Sequence, residues 1–447
     1  MSVDEFKNLL WGPSVKEDVF KRWSQGFVFS DAEPTALVQW EGGPCAVLAP
    51  VQAFILKSLI QGNSLREQWR TVDPSQCNEL LASALSEVLL QAAVEDHSIK
   101  LFRLDDALQP QVSSTVEESP ASVEAADDQP NQESEASPAK PAEEIEVCSS
   151  DFHQRLQVEN VSRENLPAEI LKNIDKLKST YGVLLFLYSV LGTRGLEEMK
   201  NELSDIVEPM IDDNHGYGSQ SLINLVLTGR AVGNVWDGDQ NVGGLNLRGI
   251  DRQSEVGFLT LLEHLRYLEV GSFYKSPKTP VWVLGSETHL TVLFSVEKKL
   301  VSPETASEAG RRVFKSFDPE GNNFIQTKFL ADVLKALDLV SEPEYVEIIR
   351  KKIDSENLGI ILLNAFMEEF FPTEKSSTPD TFPLYHYNGL HRSCPNGKVE
   401  YIEGQAVTLE SLVGPSMSDS NAMLTCLQTK WPSLEVQWLA TATPSLN

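Results

Sequence analysis

Residues 39–60 read QWEGGPCAVLAPVQAFILKSLI, which places one cysteine directly before an apolar stretch with helical periodicity. Because the first turn of a helix makes no use of the N–H that proline lacks, Pro50 is tolerated only if the helix begins close to Cys45. The pattern therefore predicts a helix with Cys45 at its start. Its apolar positions are Val47, Val51, Phe54, Ile55, Leu59 and Ile60.

A thiol at a helix start has two chemical interpretations. The positive end of the helix dipole and the outward-pointing amides favour the thiolate, which is the nucleophilic form. Gly42 and Gly43 allow another backbone to approach closely, as a thiol protease requires. The alternative is a buried, inert cysteine, and for a lone cysteine that interpretation is favoured. The choice between the two interpretations depends on whether the chain supplies catalytic partners for this thiol.

Composition limits the classes of function. The chain has 447 residues, of which 41% are hydrophobic, enough for two or three domains or one large elaborated domain. Its net charge of −28 disfavours nucleic-acid and anionic-membrane binding. The N-terminus lacks an apolar secretory core, and the longest apolar run, over 183–191, is too short to span a bilayer.

The cysteines are odd in number and lie far apart in the sequence, which argues against a disulfide framework and a zinc knuckle. A reducing, intracellular location, in the nucleus, the cytoplasm or both, is expected. No metal or organic cofactor is expected either. The cysteines are Cys45, Cys77, Cys148, Cys394 and Cys426.

Changes in composition divide the chain into five parts. Residues 1–106 and 151–304 are predicted to be globular. Between them, 107–150 is rich in Ser, Glu, Ala, Pro and Gln and is predicted to be disordered. Residues 305–375 form a separate helical unit, and 376–447 is predicted to be β-rich.

Local patterns predict several elements within these parts. Helices are expected over 152–158, 220–229 and 256–270, among others. Strands are expected over 280–284 and 289–294, joined by a tight turn. Further strands are expected over 385–388, 398–402 and 434–438.

The 305–375 unit contains two loops with EF-hand-like spacing, which begin at Asp318 and Asp354. Both are defective for calcium, because the twelfth position requires a bidentate glutamate and holds Phe329 and Ala365 instead. The interpretation is a paired EF-hand-like module used for packing or docking. Two unrelated helix–loop–helix turns are the alternative, which the paired spacing disfavours.

A cysteine nucleophile needs a base, a group that orients the base, and an oxyanion hole. Among the histidines, His289 is the best candidate base, because it opens an apolar strand just after a turn. His215 is the second candidate but lies among glycines, and His386 alternates along a strand and can simply pack. Gln39 lies six residues before Cys45, the place where papain-type proteases carry an oxyanion-stabilising glutamine.

Several segments, in this order along the chain, resemble the MINDY family of deubiquitinating cysteine proteases, and in particular its branch with an EF-hand-like insertion. The similarity covers nearly all of the chain outside the acidic tract. The segments are 41–54, 218–229, 234–239, 285–292 and 385–390.

The resemblance implies a fold and a set of roles. The fold is an α+β variant of the papain-like cysteine protease fold, with the acidic tract and the EF-hand-like unit as insertions. Cys45 is implied as nucleophile, His289 as general acid/base and Gln39 as oxyanion donor. Asn388, which ends the strand expected next to that of His289, is the candidate orienting residue. Its alternative role is a turn-forming Asn-Gly pair.

The resemblance also implies the substrate: ubiquitin and polyubiquitin chains, favouring those joined through ubiquitin's lysine-forty-eight. A monomer is expected. Two rivals remain, a non-catalytic ubiquitin-binding adaptor and a calcium-responsive EF-hand-type scaffold. The candidate groove contacts for the ubiquitin tail are Gly42, Gly43, Trp40, Trp236, Asp237 and Asp239, the two aspartates as partners of its basic residues. The alternative for residues 236–239 is a structural turn with a core tryptophan.

Overall fold

Helices and strands both build the protein, in agreement with the predicted α+β class. The predicted acidic insertion lies almost entirely outside the part of the chain that the structure describes, as do residues 62–69, where a helix was also expected. The computed structural model describes residues 3–61, 72–94, 98–105, 148–203, 208–302, 305–318, 322–372, 378–408, 421–440 and 443–447.

The strands confirm the expectations for 280–284, 289–294, 385–388 and 434–438. In chain order they are β1 (Val28–Phe29), β2 (Leu37–Val38), β3 (Ile99–Leu104), β4 (Leu156–Val161), β5 (Gln240–Val242), β6 (Leu245–Leu247), β7 (Gly257–Thr260), β8 (Val281–Gly285), β9 (Leu290–Phe294), β10 (Phe324–Gln326), β11 (Ile360–Leu362), β12 (Thr381–Tyr387), β13 (Tyr401–Thr408) and β14 (Leu434–Trp438).

The helices confirm the expected start at Cys45 and the helix predicted over 220–229. In chain order they are α1 (Val3–Trp11), α2 (Glu17–Trp23), α3 (Cys45–Gln61), α4 (Pro74–Ala92), α5 (Ser149–Gln154), α6 (Leu166–Lys172), α7 (Ile174–Lys178), α8 (Gly182–Arg194), α9 (Leu196–Glu202), α10 (Gln220–Thr228), α11 (Leu261–His264), α12 (Ser272–Lys275), α13 (Ala306–Ser316), α14 (Leu330–Ala336), α15 (Pro343–Ile353), α16 (Leu363–Phe370) and α17 (Ala422–Gln428).

A six-stranded sheet organises the molecule, in the order β14-β13-β12-β9-β8-β7. Its neighbours pair antiparallel except β7 and β8, which are parallel. Strand β12 pairs directly with β9, with Tyr387 opposite Val292. The sheet thus brings residues near 290 beside residues near 388, although the 305–375 unit separates them in sequence.

Each face of this sheet covers a different core, because side chains alternate along a strand. Val292 and Phe294 of β9 join the larger core, which includes α3, α4, α8 and α10. Leu293 faces the smaller core, formed with β12, α17 and Leu446. Helix α3 packs on β8 and β9 and is buried nearly all round, which explains its continuous apolar sequence.

Residues 305–372 have a hydrophobic core of their own, built around Phe314, Leu334 and Phe366. Strands β10 and β11 pair antiparallel, with Ile325 opposite Ile361. The order helix, loop, strand and helix therefore occurs twice within this unit.

The helix predicted over 256–270 is wrong. Residues 257–260 form the buried edge strand β7, and the single turn α11 follows it. Thr260 caps α11 by accepting a hydrogen bond from the Leu262 N–H at 3.2 Å. Arg266, at a φ of 63°, then leaves the helical conformation. A short apolar sequence fits a buried strand as well as a helix, and pairing with β8 decided between them.

Two further boundaries differ from the expectations. The helix predicted over 152–158 ends with α5 at Gln154, and β4 follows because its residues pair with β3. The strand predicted over 398–402 begins only at Tyr401 and continues to Thr408 as β13. In both cases the partner strand sets the element, which the local sequence does not reveal.

Candidate active site

Helix α3 begins at Cys45 because the loop before it is closely packed. The Pro44 carbonyl accepts hydrogen bonds from the N–H groups of Val47 and Leu48, both at 2.9 Å. Gly43 adopts a φ of +128°, and a Cβ there would lie 2.8 Å from the indole nitrogen of Trp23. This glycine is therefore required by its own loop.

His289 is held by the turn between β8 and β9. Its backbone N–H donates to Ser286 Oγ at 3.0 Å, and its carbonyl accepts from the Ser286 N–H at 3.0 Å. The side chain is only 6% exposed. The predicted position at the start of a strand is confirmed, and the ring lies inside the protein beside Asn388.

Asn388 accepts a hydrogen bond from the His289 ring, with 2.9 Å between its Oδ1 and His289 Nε2. The same oxygen accepts from the Leu390 N–H at 3.0 Å. Because a backbone N–H can only donate, this second bond fixes the orientation of the amide. His289 therefore carries its proton on Nε2, which leaves the lone pair on Nδ1.

Gln39 joins the loop before α3 to the segment that follows β12. Its N–H donates to the Gly389 carbonyl at 2.7 Å, and its carbonyl accepts from the His391 N–H at 2.9 Å. Its side-chain amide donates to the Glu41 carbonyl at 2.8 Å. Gln39 is thus buried between the Cys45 loop and the Asn388 segment.

The Cys45 thiol is 5% exposed and donates to the Gly43 carbonyl at 3.6 Å. The backbone of Leu290, the residue after His289, also hydrogen-bonds to this sulfur. Burial raises the pKa of Cys45 to about 11, against the smaller lowering effect of these backbone hydrogen bonds. The expectation of a thiolate at this helix start is therefore wrong for this conformation, because desolvation exceeds the effect of the amides.

Burial also lowers the pKa of His289, and the nearby Arg392 acts in the same direction. The hydrogen bond that the ring donates to Asn388 opposes both effects, since it favours the protonated ring. A raised thiol pKa and a lowered imidazole pKa both favour the neutral pair. This site therefore holds a thiol and a neutral imidazole near pH 7.

The predicted groove residues do not all face an open site. Trp40 is exposed and lies over the His391 ring, with 4.9 Å between the ring centroids. The Asp237 carboxylate instead accepts hydrogen bonds from the N–H groups of Ser272 and Phe273 at the start of α12. Asp237 is thus a helix-capping residue, which contradicts the expectation that it pairs with a substrate.

Asp239 also has a partner within the chain, Arg248, with 3.1 Å between Asp239 Oδ2 and Arg248 Nη1. His215, the second candidate base, is exposed and stacks on Tyr217. It makes no contact with the Cys45 loop among the hydrogen bonds of the described residues. The loop that carries His215 packs against the Cys45 loop, since a Cβ on Gly43 would lie 3.1 Å from the Gly216 carbonyl oxygen. His289 is linked to Cys45 through the next residue, Leu290, whose backbone hydrogen-bonds to the sulfur.

Sequence reasoning missed the contribution of Asn447. Its main-chain oxygen accepts from Asn388 Nδ2 at 3.3 Å, and its side chain contacts the turn that carries His289. No sequence signal marks this residue, because the contact joins positions 59 residues apart. The hydrogen bond between the Leu290 backbone and the Cys45 sulfur could not be predicted either, because every residue carries the same backbone groups.

Within the described ranges, no group of three or more His, Cys, Asp or Glu side chains is placed to hold a metal ion. All five cysteines are free thiols. Among the same residues, no helix has the length and apolar character needed to cross a membrane.

Comparisons with known proteins assign the chain to a family. A family model described as "Deubiquitinating enzyme MINDY-3/4, conserved domain" matches residues 7–313. The chain is 51% identical to the ubiquitin carboxyl-terminal hydrolase MINDY-3 homolog of Drosophila melanogaster, over 99% of this chain and 82% of that protein. It is 48% identical to ubiquitin carboxyl-terminal hydrolase MINDY-3 of Homo sapiens, over 99% of each.

A more distant relative is the probable ubiquitin carboxyl-terminal hydrolase MINDY-4 of Mus musculus. It is 31% identical over 66% of this chain and 37% of that protein. No solved structure matches the chain. The family model covers well over half of the sequence, and the MINDY-3 relatives cover almost all of it. The chain therefore belongs to the MINDY-3/4 family of deubiquitinating enzymes.

Proposed function

We propose that this deubiquitinase cleaves polyubiquitin by a cysteine–histidine mechanism, with Cys45 as nucleophile and His289 as general acid/base. The observation that carries the proposal is the 2.9 Å hydrogen bond from His289 Nε2 to Asn388 Oδ1. It directs the free lone pair of the ring to Nδ1, while the next residue, Leu290, hydrogen-bonds to the Cys45 sulfur. These two contacts support the proposal that Cys45, His289 and Asn388 act as nucleophile, base and orienting amide.

In the proposed reaction, His289 Nδ1 takes the thiol proton and the Cys45 sulfur attacks the terminal glycine carbonyl of ubiquitin. The protonated ring then donates to the leaving lysine amine, and a thioester forms. The ring next activates a water molecule, which releases ubiquitin and restores the thiol. Asn388 keeps Nε2–H paired throughout, so that the ring does not rotate away.

Gln39 is proposed as the oxyanion donor together with the Cys45 N–H. Its amide carries two N–H groups, and the Glu41 carbonyl accepts one of them. The bonds of its backbone to Gly389 and His391 hold it in position. One such donor contributes about 2.7–4 kcal/mol to transition-state stabilisation.

Burial of the thiol implies that this conformation precedes substrate engagement. The Gly43 carbonyl and the Leu290 backbone both hydrogen-bond to the sulfur. Neither the thiol nor the imidazole is charged in this conformation. Access of a substrate carbonyl to the buried sulfur is proposed to require a local movement at Gly43, whose carbonyl accepts the thiol proton. Ubiquitin binding is proposed to supply the free energy for this movement.

The proposed substrates are ubiquitin chains, with a preference for chains joined through lysine-forty-eight. The MINDY resemblance supports this linkage, and the absence of side chains at Gly42 and Gly43 suits a tail that ends in two glycines. The exposed Trp40 is the proposed aromatic wall of that groove. The protein is proposed to act as a monomer inside the cell, in the nucleus, the cytoplasm or both.

The fold is proposed to be a papain-like variant, with an acidic insertion over 107–150 and an EF-hand-like insertion over 305–375. Antiparallel pairing of Ile325 with Ile361 supports the second insertion, because both occupy the eighth loop position. Asn323 and Gly359, at the sixth positions, have φ values of 59° and 78°, which suits the sharp turn required there.

The test is cleavage of purified chains of each linkage type by wild type, Cys45→Ala and His289→Ala. Both variants are expected to lose cleavage almost completely while keeping the wild-type unfolding midpoint. Cys148→Ala is the matched control, because that cysteine is exposed and lies outside the site. Wild-type cleavage rates in Cys45→Ala would refute the assignment of the nucleophile.

A second candidate function is a ubiquitin-binding adaptor without useful turnover. The buried, protonated state of Cys45 favours it. A ubiquitin probe with a thiol-reactive C-terminus separates the two functions. The enzyme is expected to be labelled at Cys45 alone, whereas an adaptor binds the probe without forming the covalent bond.

A further inference from the structure

We propose that Asn447 is a positioning residue for the His289–Asn388 pair and that the segment 443–447 acts as a brace for the active site. The inference deepens the proposed function and rests on it, because it concerns the same pair. It depends on three sets of contacts: the anchor of the segment, the side chain of Asn447 and its main-chain oxygen.

The anchor is Leu446, which is 2% exposed. It packs in the smaller core with Leu284, Leu293 and Leu384, from three adjacent strands of the central sheet. Because that core is close-packed, Leu446 fixes where the next residue can lie. Asn447 is thereby held against the end of the sheet where β8 turns into β9.

The side chain of Asn447 acts on the backbone of His289 through Ser286. Asn447 Oδ1 accepts hydrogen bonds from Ser286 Oγ at 2.6 Å and Thr288 Oγ1 at 3.3 Å. Ser286 Oγ also lies 3.2 Å from the His289 carbonyl oxygen, but a hydroxyl has a single proton, and the shorter bond to Asn447 directs it outward. The lone pairs of Ser286 Oγ are then free to accept from the N–H groups of Thr288 and His289, at 3.2 and 3.0 Å.

The main-chain oxygen of Asn447 acts on the other member of the pair. It accepts from Asn388 Nδ2 at 3.3 Å, while Asn388 Oδ1 faces the His289 ring. The hydrogen bonds therefore form a closed ring: His289 backbone, Ser286, Asn447, Asn388 and the His289 side chain. One residue restrains both the backbone that carries the imidazole and the amide that orients it.

Loss of the Asn447 side chain is expected to loosen this ring without opening the core. Leu446 keeps its packing, and the Leu390 N–H still binds Asn388. The histidine turn, however, loses the acceptor that orients Ser286. Small displacements of a catalytic group are costly, because the reacting atoms must meet at a defined distance and angle.

The experiment compares wild type with Asn447→Ala, Asn447→Asp and the control Thr443→Ala, which changes an exposed residue of the same segment. Cleavage of ubiquitin chains gives kcat and KM, and thermal unfolding gives the midpoint. NMR on histidine-labelled protein measures the pH titration of the His289 ring, which tests the His289–Asn388 pair in the absence of substrate.

Asn447→Ala is expected to lower kcat by roughly 10-fold with KM unchanged. Its unfolding midpoint should remain that of wild type, and the His289 titration should move to lower pH, because a loosened Asn388 supports the protonated ring less well. Asn447→Asp keeps the acceptor oxygen and is expected to restore kcat. Thr443→Ala should behave as wild type.

Wild-type kcat and an unshifted His289 titration in Asn447→Ala would overturn the proposal. Equal losses in Asn447→Ala and Asn447→Asp, accompanied by a lower unfolding midpoint, would also overturn it, since they indicate a merely structural role. If chain cleavage does not depend on Cys45, the proposed function fails. The NMR titration still decides the positioning role in that case.

Discussion

The thiol of Cys45 lies at the start of α3, where backbone amides favour a thiolate, yet burial acts in the opposite direction. The helix start is a local property, and the sequence around Pro44 and Pro50 predicts it. Desolvation is not local, because it depends on distant segments, among them Leu290 of β9, packing around the sulfur. The position of the nucleophile was therefore predictable and its protonation state was not.

The first prediction concerns this protonation state. In the free protein near neutral pH, iodoacetamide is expected to modify Cys45 more slowly than the exposed Cys148, because the reactive thiolate is scarce and the sulfur is covered. The rate at Cys45 should rise as the pH approaches 11. Peptide mass spectrometry measures both sites in the same sample.

His289→Ala serves as the control for that experiment, since a resting imidazole that does not activate the thiol should leave the rate nearly unchanged. Faster modification of Cys45 than of Cys148 near neutral pH would contradict the neutral resting pair. It would indicate that the thiolate forms before substrate binds.

At the scale of elements, a buried aspartate at the start of each loop of the 305–372 unit binds backbone N–H groups of that loop. Asp354 Oδ1 and Oδ2 accept from the N–H groups of Leu358 and Gly359, at 2.8 and 3.0 Å. Asp318 does the same for Asn322 and Asn323, at 3.0 and 2.6 Å. Both carboxylates are buried and therefore depend on these partners.

The second prediction concerns these hydrogen bonds. Asp354→Ala removes both acceptors and is expected to destabilise the second loop by about 1–2 kcal/mol. Amide hydrogen exchange in α15 and α16 should accelerate by about 10-fold. Glu356→Ala, at an exposed position of the same loop, is the matched control. Unchanged exchange in Asp354→Ala would show that packing around Phe366 alone holds the loop.

Errors in element prediction share one cause at this scale. The strand β7 and the start of β4 have local sequences that also suit helices, and their partner strands β8 and β3 settle the outcome. By contrast, β8, β9 and α10 were predicted well, because glycine or turn residues mark their ends. The ends of elements that turn residues mark can thus be predicted from the sequence, whereas the pairing of strands cannot.

For the whole molecule, buried neutral histidines couple stability to pH. His386 is fully buried, its two ring nitrogens are among the few buried polar atoms of the described residues without a hydrogen bond, and its pKa is lowered to about 3 by burial. Burial also lowers the pKa of His153 and His289. His153 is also buried, at 7% exposure.

The third prediction follows from His386. The unfolded chain binds a proton on this residue below about pH 6.5, whereas the folded chain does not do so until near pH 3. Its contribution to stability is therefore fully present above the unfolded pKa and is lost as the pH falls through this window. His386→Leu should flatten the dependence of the unfolding free energy on pH by up to about 1.4 kcal/mol per pH unit.

Urea unfolding between pH 7 and 4 measures this difference, with His215→Ala as the control at an exposed histidine. His386→Leu is also expected to be more stable than wild type at pH 5, because it buries no unpaired nitrogen. An identical pH dependence in wild type and His386→Leu would mean that the folded protein protonates His386 readily.

By itself, the sequence determined the helix that begins at Cys45, the strand that follows His289 and the family motifs, since these depend on neighbouring residues. The family resemblance implied that the strand of Asn388 lies next to that of His289, and the pairing of β12 with β9 brings the two side chains together. Tertiary structure alone decided the hydrogen bonds between them. It also decided that Asn447 braces both and that the thiol is buried. Such contacts join residues far apart in the chain, and their free energies depend on packing and desolvation, which no local pattern records.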